Sequence, residues 1–501
     1  MQIDNWQPRA NAPDSTESHP FIPFDGPAKN LARNVTAETA LTCETLKSTH
    51  STPVRTAIVW AGAGRLARSS NPIENAGFVL FCIYVLSGFA NDWSLRAFGA
   101  KAYLSTVTLI LLPLAWLFSG KALRGLRSSA GLCWAAFLSW MILATPLSVW
   151  RGGSVALLGN YIPRAYLEFF YTCSFVTTLG RCRQWMYVQI ASAAALLLSC
   201  MVFGNGGGNI GDAPGEARFR IPNSLFYANS NDLALALLLG ISSFLFLFHR
   251  TSRAGQVAGI GGILLSTFYA FRTGSRGCVV AASAMLILIF WLSRNRWKVA
   301  AFGITALLGV ALAASLGESA GALHRLSLLV RDASSPGDAS SVAENASDVS
   351  SVASQFQREE LFKTSLWYTL SHPLLGVGPD QFATAVGQDA ARAGQHLPWL
   401  GTHNTFTQVS SECGIPALIF YVAVIGLCLR SNLRLYLWTR DRPADRELAG
   451  LSRCLSAGTL VFTVSAFFFH MAYSSTLPAL AGFTVALQLA APPLTQAKQR
   501  V

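Results

Sequence analysis

Long apolar runs that recur along most of the chain constrain its fold more than any other feature of the sequence. A run of roughly 17 to 20 apolar residues can cross about 30 Å of hydrocarbon as an α-helix, which satisfies its own backbone hydrogen bonds in lipid. Such runs occupy residues 74–90, 102–119, 130–150, 163–180, 185–204, 232–248, 256–271, 277–292, 299–316, 416–432, 455–472 and 476–491. The sequence therefore predicts an all-α fold, a polytopic membrane bundle of about twelve transmembrane helices.

The composition is typical of a chain whose solvent is a bilayer. Of 501 residues, 52% are hydrophobic and 13% are charged, whereas roughly a quarter of the residues in a soluble domain are charged. The net charge of +13 could suggest nucleic acid, but the basic residues are spread through short loops rather than gathered on one face. The ten cysteines form no CxxC pair and mostly fall inside apolar runs. We expect no nucleic-acid partner, disulfide framework, metal or cofactor.

Lysine and arginine are distributed unequally between alternate loops. One set of loops carries sixteen of them, namely Lys121, Arg124, Arg127, Arg181, Arg183, Arg250, Arg253, Arg294, Arg296, Lys298, Arg430, Arg434, Arg440, Arg442, Arg446 and Arg453. The other short loops carry eight, namely Arg96, Lys101, Arg151, Arg164, Arg218, Arg220, Arg272 and Arg276. Because cytoplasmic loops are enriched in basic residues, the first set is predicted to be cytoplasmic, together with both termini.

This orientation divides the chain into four parts. Residues 1–70 are polar and without apolar periodicity, which predicts a disordered cytoplasmic tail. Residues 71–316 would form transmembrane helices 1–9, residues 317–415 a large external loop, and residues 416–501 transmembrane helices 10–12 with a short cytoplasmic end. With no cleavable leader at the start, the first span would act as the targeting signal.

The second half of the long loop has the pattern of short surface helices. Apolar residues recur at helical spacing at Phe356, Leu361, Phe362, Leu366, Trp367 and Leu370. This pattern predicts a helix on the membrane surface, ended by Pro373 and the glycines of HPLLGVG. Farther on, Thr402 is predicted to cap a helix from His403 to Glu412, which Gly414 closes before Pro416.

Three motifs in this order resemble the O-antigen ligase and polymerase superfamily. They are TGSRG at Thr273 to Gly277, then R…LW…HPLLGVG…F, then HN…F…E.G, and the resemblance covers roughly residues 210–430. The family consists of polytopic enzymes that move glycans from undecaprenyl-diphosphate carriers. The resemblance therefore implies a membrane glycosyltransferase of cell-surface polysaccharide assembly in the bacterial inner membrane, with an external active face.

The resemblance also assigns roles to residues of this chain. His403 is the expected general base, since a neutral imidazole can take a proton from a sugar hydroxyl near neutral pH. Arg276, in the TGSRG motif, is expected to bind the diphosphate, because a guanidinium matches phosphate oxygens bidentately. One of Arg218 and Arg220 is expected to assist it, with Arg220 preferred. Asn404, beside His403 in the motif, is assigned to substrate binding.

Several other residues keep two interpretations. Arg358 could contact the carrier phosphate or pin the surface helix through Glu359 or Glu412. Glu412 itself could bind sugar or brace the turn at Gly414. The remaining candidates are interpreted as follows: Arg272 and Trp367 as interfacial anchors, His372 as a structural cap, His324 and His396 as surface residues, and His470 as an intramembrane candidate without a motif.

The chemistry predicted from these residues is a single displacement with inversion, independent of metal because arginines would neutralise the leaving diphosphate. The donor is an undecaprenyl-diphosphate-linked glycan. Three acceptors stay open: a lipid A core sugar (ligase), a growing glycan (polymerase) or a protein hydroxyl (oligosaccharyltransferase). A transporter or flippase of lipid-linked sugars is the alternative outside enzymes, and a non-catalytic membrane scaffold is a weaker one.

Overall fold

The computed structural model describes residues 71–99, 103–204, 218–222, 224, 227, 229–248, 252–294, 296–297, 303, 346–394 and 400–491. All of them belong to the second of two units, Ser69–Val501, into which the chain divides after Arg68. The predicted tail 1–70, nearly all of the predicted span 299–316, and His324 and His396 lie outside the described residues.

Within the described residues the fold is all-α, as predicted. The helices are α1 (Pro72–Phe98), α2 (Leu104–Phe118), α3 (Ser129–Ala144), α4 (Arg151–Tyr161), α5 (Glu168–Phe175), α6 (Leu179–Phe203), α7 (Ser230–Phe248), α8 (Arg253–Arg272), α9 (Arg276–Leu292), α10 (Ala346–Ser371), α11 (Phe382–Arg392), α12 (Thr405–Thr439), α13 (Arg446–Ser465) and α14 (Thr476–Ala490). Short 3₁₀ segments occupy Arg124–Arg127, Thr145–Leu147 and Pro443–Asp445, and a π-helical turn occupies Ile162–Tyr166.

Seven helical segments in the described part of the chain are long and apolar enough to cross a membrane. They are Pro72–Phe98, Ser129–Leu147, Leu179–Phe203, Ser230–Phe248, Arg253–Arg272, Thr405–Thr439 and Pro443–Ser465. The shorter apolar helices α2, α9 and α14 match three further predicted spans. The segment that contains α13 is buried over 83% of its apolar window, against 22% for α1, so α13 lies at the centre of the bundle and α1 at its lipid-facing periphery.

Ion pairs join loops that the charge distribution assigns to one side of the membrane. Glu74 accepts hydrogen bonds from Lys121 Nζ and Arg181 Nη1, both at 2.5 Å. Arg183 pairs with Glu447 at 3.5 Å, and Arg294 pairs with Asp441. These contacts bring the basic loops together at one end of the bundle, while the assignment of that end to the cytoplasm stays a prediction.

Two predicted spans have different boundaries in the structure. The run 163–180 is part of a broken helix that begins at Arg151, because Pro163 has no backbone N–H to donate and the chain forms a π-turn there. The run 455–472 ends as a helix at Ser465. Residues 466–475, the loop between α13 and α14 (hereafter the α13–α14 loop), instead fold back on the start of α12, although their aromatic residues extend the apolar pattern.

The helix that begins near His403 is kinked at Gly414, as predicted. Gly414 has φ 85° and ψ 172°, and a Cβ at this position would lie 2.0 Å from the Leu374 carbonyl oxygen. The kink frees carbonyl groups that the HPLLGVG turn then binds: Val377 N donates to Ser411 O at 2.9 Å, and Gly378 N donates to Glu412 O at 2.8 Å. The glycine-rich turn and the E.G motif therefore form one structural unit.

The N-terminus of this helix differs from the prediction by two residues. Asn404, and not Thr402, is the N-cap, because its Oδ1 accepts hydrogen bonds from Phe406 N at 2.9 Å and Thr407 N at 3.1 Å. Thr402 donates its hydroxyl to the Asn404 carbonyl at 3.0 Å instead. His403 consequently precedes the helix and is not part of its first turn.

Candidate active site

His403 lies at the junction between an irregular segment and α12, in a backbone conformation that residues other than glycine rarely adopt. Its φ is 51°, in the left-handed region. Both neighbours are fixed, Thr402 by its hydrogen bond to the Asn404 carbonyl and Asn404 by capping α12. Strained backbone held in place by such contacts is concentrated at functional sites. The half-buried imidazole of His403 is therefore presented in one defined position.

The α13–α14 loop brings a second histidine to the first. Thr405 anchors this loop by donating its backbone N–H to Ala466 O at 2.8 Å and its hydroxyl to Phe469 O at 2.6 Å. Met471 N and Ala472 N donate in return to Thr405 Oγ1 at 3.0 Å and Gln408 Oε1 at 3.2 Å. As a result the His470 ring lies edge-on to the His403 ring, with 5.5 Å between centroids.

The surroundings of His403 keep its imidazole neutral. Burial, followed by the charges of Arg358 and His470, lowers the pKa of His403 to about 4. An unperturbed histidine titrates near 6.5. At neutral pH His403 is therefore unprotonated and has a ring nitrogen available to accept a proton.

Two arginines from different helices lie near each other, and one of them, Arg358, lies near His403. Arg276 is the first residue of α9 and Arg358 belongs to α10. Burial, then the charge of Arg276, lowers the pKa of Arg358, and Arg358 in turn acts on His403. Two guanidinium groups that repel each other in a partly buried setting form a site that an anion would stabilise.

The start of α9 adds to this anion-binding character. The Ser275 hydroxyl is buried at the N-cap position and has no hydrogen-bond partner in the part of the chain that the structure describes. Helix N-termini carry unsatisfied N–H groups and a partial positive charge. Gly277 lets α9 approach the α13–α14 loop, since a Cβ at Gly277 would lie 2.9 Å from Phe468 Cβ. The TGSRG motif thus packs the start of α9 against the loop that carries His470.

Two carboxylates lie near His470. The charge of His470 interacts with Asp232, in the first turn of α7, and with Asp380, after the HPLLGVG turn. Burial raises the pKa of Asp380, and the charge of His470 opposes that rise. Asp380 also has a left-handed backbone, with φ 61°, and its N–H donates to Glu412 Oε2 at 2.9 Å. His470 therefore faces carboxylates, whereas His403 faces Arg358.

Other predicted site residues make contacts within the chain. Glu412 is buried and accepts hydrogen bonds from Asp380 N and from Tyr473 Oη at 2.6 Å. Glu359, the other carboxylate considered for Arg358, pairs with Lys363 at 2.9 Å. The Asn404 side-chain Oδ1 caps α12. In this structure Glu412 and Asn404 thus stabilise the backbone around the site.

Arg218 and Arg220 differ in their surroundings. Arg218 donates from Nε to the Thr273 carbonyl at 3.0 Å and from Nη2 to Asn231 Oδ1 at 2.8 Å, so it ties the TGSRG motif to the start of α7. Arg220 is half-buried two residues later. Arg272 lies over the rings of Phe219 and Phe268, at 4.9 and 5.8 Å from their centroids.

Residues of the surface helix α10 separate into a buried and an exposed face. Ser365 and Thr369 pack inward, and Thr369 Oγ1 lies 2.8 Å from Ser410 Oγ of α12. The exposed residues of the predicted apolar face are Phe362, Leu366, Trp367 and Leu370. His372, just after the helix, stacks on Tyr368 and has its Nδ1 3.0 Å from Ser371 Oγ.

Sequence reasoning missed Asp380 and Tyr473 and gave His470 the wrong setting. His470 is exposed in the α13–α14 loop rather than inside a membrane span. The sequence FFFHMAY contains a signal that could have indicated the end of the span. In it, a histidine and a tyrosine follow a run of phenylalanines. Asp380, in GVGPD, follows the glycine turn of a motif that had already been identified.

Taken together, a multi-pass bundle of apolar helices with histidines, arginines and carboxylates gathered at one end has the architecture of a membrane-embedded protein with a polar site at the bilayer boundary. Residues 261–422 match the sequence profile of the family described as O-antigen ligase. The resemblance of the chain to the O-antigen ligase and polymerase superfamily is thus confirmed over that region.

The matched region contains Arg276, Arg358 and His403, whereas Arg218, Arg220 and His470 lie outside it. A search of curated proteins finds no match to the chain. The family indicates a membrane enzyme that joins glycans.

Proposed function

We propose that the protein transfers a glycan from an undecaprenyl-diphosphate carrier to an acceptor hydroxyl, at the external face of the bacterial inner membrane and with both termini in the cytoplasm. The observation that carries the proposal is the strained His403, held neutral beside Arg358, which itself lies near Arg276. The match of residues 261–422 to the O-antigen ligase family and the apolar helices support the same assignment. Residues of α10, of the turn after it and of the segment that leads into α12 then supply the catalytic face.

His403 is the general base of this reaction. Its ring nitrogen takes the proton of the acceptor hydroxyl, and a base positioned in this way contributes roughly 10²–10⁴ in rate. The low pKa of His403 in the free protein keeps the base unprotonated. A bound diphosphate brings negative charge close to His403 and Arg358, which raises the proton affinity of the imidazole when the substrate is in place.

Arg276, Arg358 and Arg220 hold the diphosphate. Arg276 and Arg358 interact electrostatically with each other, so an anion between them relieves their repulsion. The N-terminus of α9 and the buried Ser275 hydroxyl add hydrogen-bond donors on the same side. Arg218 donates from Nε and Nη2 to Thr273 and Asn231, so we assign Arg218 to holding the TGSRG motif and Arg220 to the diphosphate.

The chemical step is a single displacement at the anomeric carbon. The acceptor oxygen, losing its proton to His403, forms a bond to that carbon while the bond to the carrier diphosphate breaks. The electron pair of the broken bond stays on the leaving oxygen, where the arginines neutralise it. Attack from the opposite face inverts the anomeric configuration, and the reaction proceeds without a metal.

A reconstitution with labelled undecaprenyl-diphosphate oligosaccharide tests this function. The purified protein is supplied with the donor in EDTA, with and without lipid A core or an acceptor protein. Label on the core would identify a ligase, longer carrier-linked chains a polymerase, and label on the protein an oligosaccharyltransferase. His403→Ala should abolish whichever product forms, whereas His372→Ala, which changes an exposed histidine stacked on Tyr368, should leave it.

The same experiment can overturn the proposal. A transporter of lipid-linked sugars needs arginines for the carrier but no base on the external side. If the carrier crossed the bilayer without formation of a glycosidic bond, and His403→Ala did not affect this movement, the protein would be a transporter and not an enzyme. If neither product nor carrier movement were seen, and substitutions of Arg276 and His403 were tolerated, the protein would be a non-catalytic scaffold.

A further inference from the structure

The two histidines at the site differ in the charges that surround them. A positive charge on His403 meets Arg358, with Arg276 behind it, and is partly buried. A positive charge on His470 meets the carboxylates of Asp232 and Asp380. Glu412, the remaining titratable group on the start of α12, is held by Tyr473 and Asp380 N. The site therefore favours a neutral His403, whereas carboxylates lie near the His470 ring.

The geometry suits movement of a proton between the two rings. Their centroids are 5.5 Å apart in an edge-to-face arrangement, so a ring edge of one histidine is directed at the face of the other. A small rotation of one ring, or one bridging water, is enough to connect their nitrogens. His470 is exposed, whereas His403 is half-buried, so the path leads from the interior of the site to solvent.

The anchoring of the α13–α14 loop makes this arrangement specific. Four hydrogen bonds join the loop to Thr405, which directly follows the His403–Asn404 pair, and to Gln408 in the first turn of α12. The same loop contacts Gly277, the residue after Arg276. Backbone contacts therefore hold His470 in register with both the base and the anion-binding arginines.

We propose that His470 is the proton-relay partner of His403: it receives the proton that His403 takes from the acceptor hydroxyl and releases it to external solvent. The inference deepens the proposed function and rests on it. The transfer breaks one N–H bond on His403 and forms one on His470, which resets His403 as a neutral base for the next cycle. Asp232 and Asp380 stabilise the imidazolium that forms transiently on His470.

The test is a kinetic comparison of His470→Ala, His470→Gln and Asp232→Asn with the wild type. We expect kcat to fall by at least about tenfold in both His470 variants, because proton transfer becomes limiting. The KM for the donor and the binding of labelled undecaprenyl diphosphate should stay within about twofold, which also shows that each variant is folded. Asp232→Asn should lower kcat less, since Asp380 still faces His470.

Rescue by a small base distinguishes a relay from a purely structural role. Added imidazole should restore part of the kcat of His470→Ala in proportion to its concentration, and should not affect the wild type or the matched control His372→Ala. The pH dependence of kcat should also change in His470→Ala, because proton release now depends on buffer and not on a histidine.

The outcomes separate this inference from the proposed function. Full activity of His470→Ala with an unchanged pH profile, while His403→Ala is inactive, would overturn the relay and leave the base in place. A loss of kcat in the His470 variants that imidazole cannot rescue, with an unchanged pH profile, would make His470 a structural residue and equally overturn it. Activity of the His403→Ala variant would overturn the proposed function itself.

Discussion

Tyr473 donates a 2.6 Å hydrogen bond to the Glu412 carboxylate and so connects the α13–α14 loop to the kinked start of α12. The same carboxylate accepts from the backbone of Asp380 at 2.9 Å. A single buried acidic side chain therefore joins three chain segments that carry His403, His470 and Asp380. The positions of the groups around the candidate base depend on this junction.

Tyr473→Phe removes the hydrogen bond and leaves the aromatic ring in place. Because the Glu412 oxygen is then buried with one donor fewer, we expect the free energy of unfolding to fall by about 1–3 kcal/mol. Thermal denaturation in detergent measures the change, with Tyr187→Phe, at an exposed tyrosine of α6, as the control. An unchanged melting temperature would show that the junction contributes nothing to stability.

Gly414→Ala tests the kink of α12. The residue has φ 85°, and an added Cβ would lie 2.0 Å from the Leu374 carbonyl oxygen, so the HPLLGVG turn could no longer reach the freed carbonyls. We expect a strong loss of folded protein and of activity. Gly426→Ala is the matched control, because Gly426 lies in the same helix with no atom within 4 Å of its added Cβ. Equal stability of the two variants would contradict the kink as an essential feature.

The sequence predicts the elements of the fold well wherever the length or the periodicity of an apolar run determines the element. Ten of the predicted spans correspond to apolar helices, α10 ends before Pro373, and Gly414 breaks α12, because hydrophobicity, proline and glycine act locally. The end of α13 was misplaced because Phe467, Phe468 and Phe469 are apolar enough for a span. The Phe469 carbonyl nevertheless accepts a hydrogen bond from the Thr405 hydroxyl, which is a tertiary contact that no local pattern reports.

The candidate site shows the same division between local and long-range information. Motifs identify His403, Arg276 and Arg358, and the structure brings these three together. The roles of Asn404, Glu412 and Arg218 depend on which backbone groups they meet, and the hydrogen bonds of Arg218 to Thr273 and Asn231 join segments far apart in sequence. His470 could not be placed beside His403 without knowing how the α13–α14 loop folds back.

Arg276→Gln should weaken donor binding more than it slows the chemical step. A charge-assisted hydrogen bond contributes about 1.5–3 kcal/mol, so we expect the KM for the donor to rise roughly tenfold to a hundredfold. Arg276→Lys should recover only part of this loss, because an ammonium cannot bind two phosphate oxygens in the same plane. Titration with labelled undecaprenyl diphosphate measures the effect, and equal affinity of all three proteins would contradict a diphosphate contact.

Arg218 and Arg220 should separate by phenotype. Arg218→Gln breaks the hydrogen bonds to the Thr273 carbonyl and Asn231, so it should lower the melting temperature and reduce activity through the displaced TGSRG motif. Arg220→Gln should raise the KM for the donor more than Arg218→Gln does. Thermal denaturation and donor titration on the same preparations distinguish the two arginines, and the reverse pattern would exchange their roles.

The pH dependence of kcat/KM reports the protonation of His403 in the free enzyme. The base acts only when neutral, and burial together with Arg358 lowers its pKa to about 4, so activity should persist on acidification until the pH approaches that value. Arg358→Gln removes a positive charge next to His403 and should therefore move the acidic limb to higher pH, toward the ordinary histidine value of about 6.5. Lys363→Gln, on the exposed side of the same helix, is the control and should leave the limb in place. A wild-type limb near 6.5 that Arg358→Gln does not move would show that Arg358 does not act on the base.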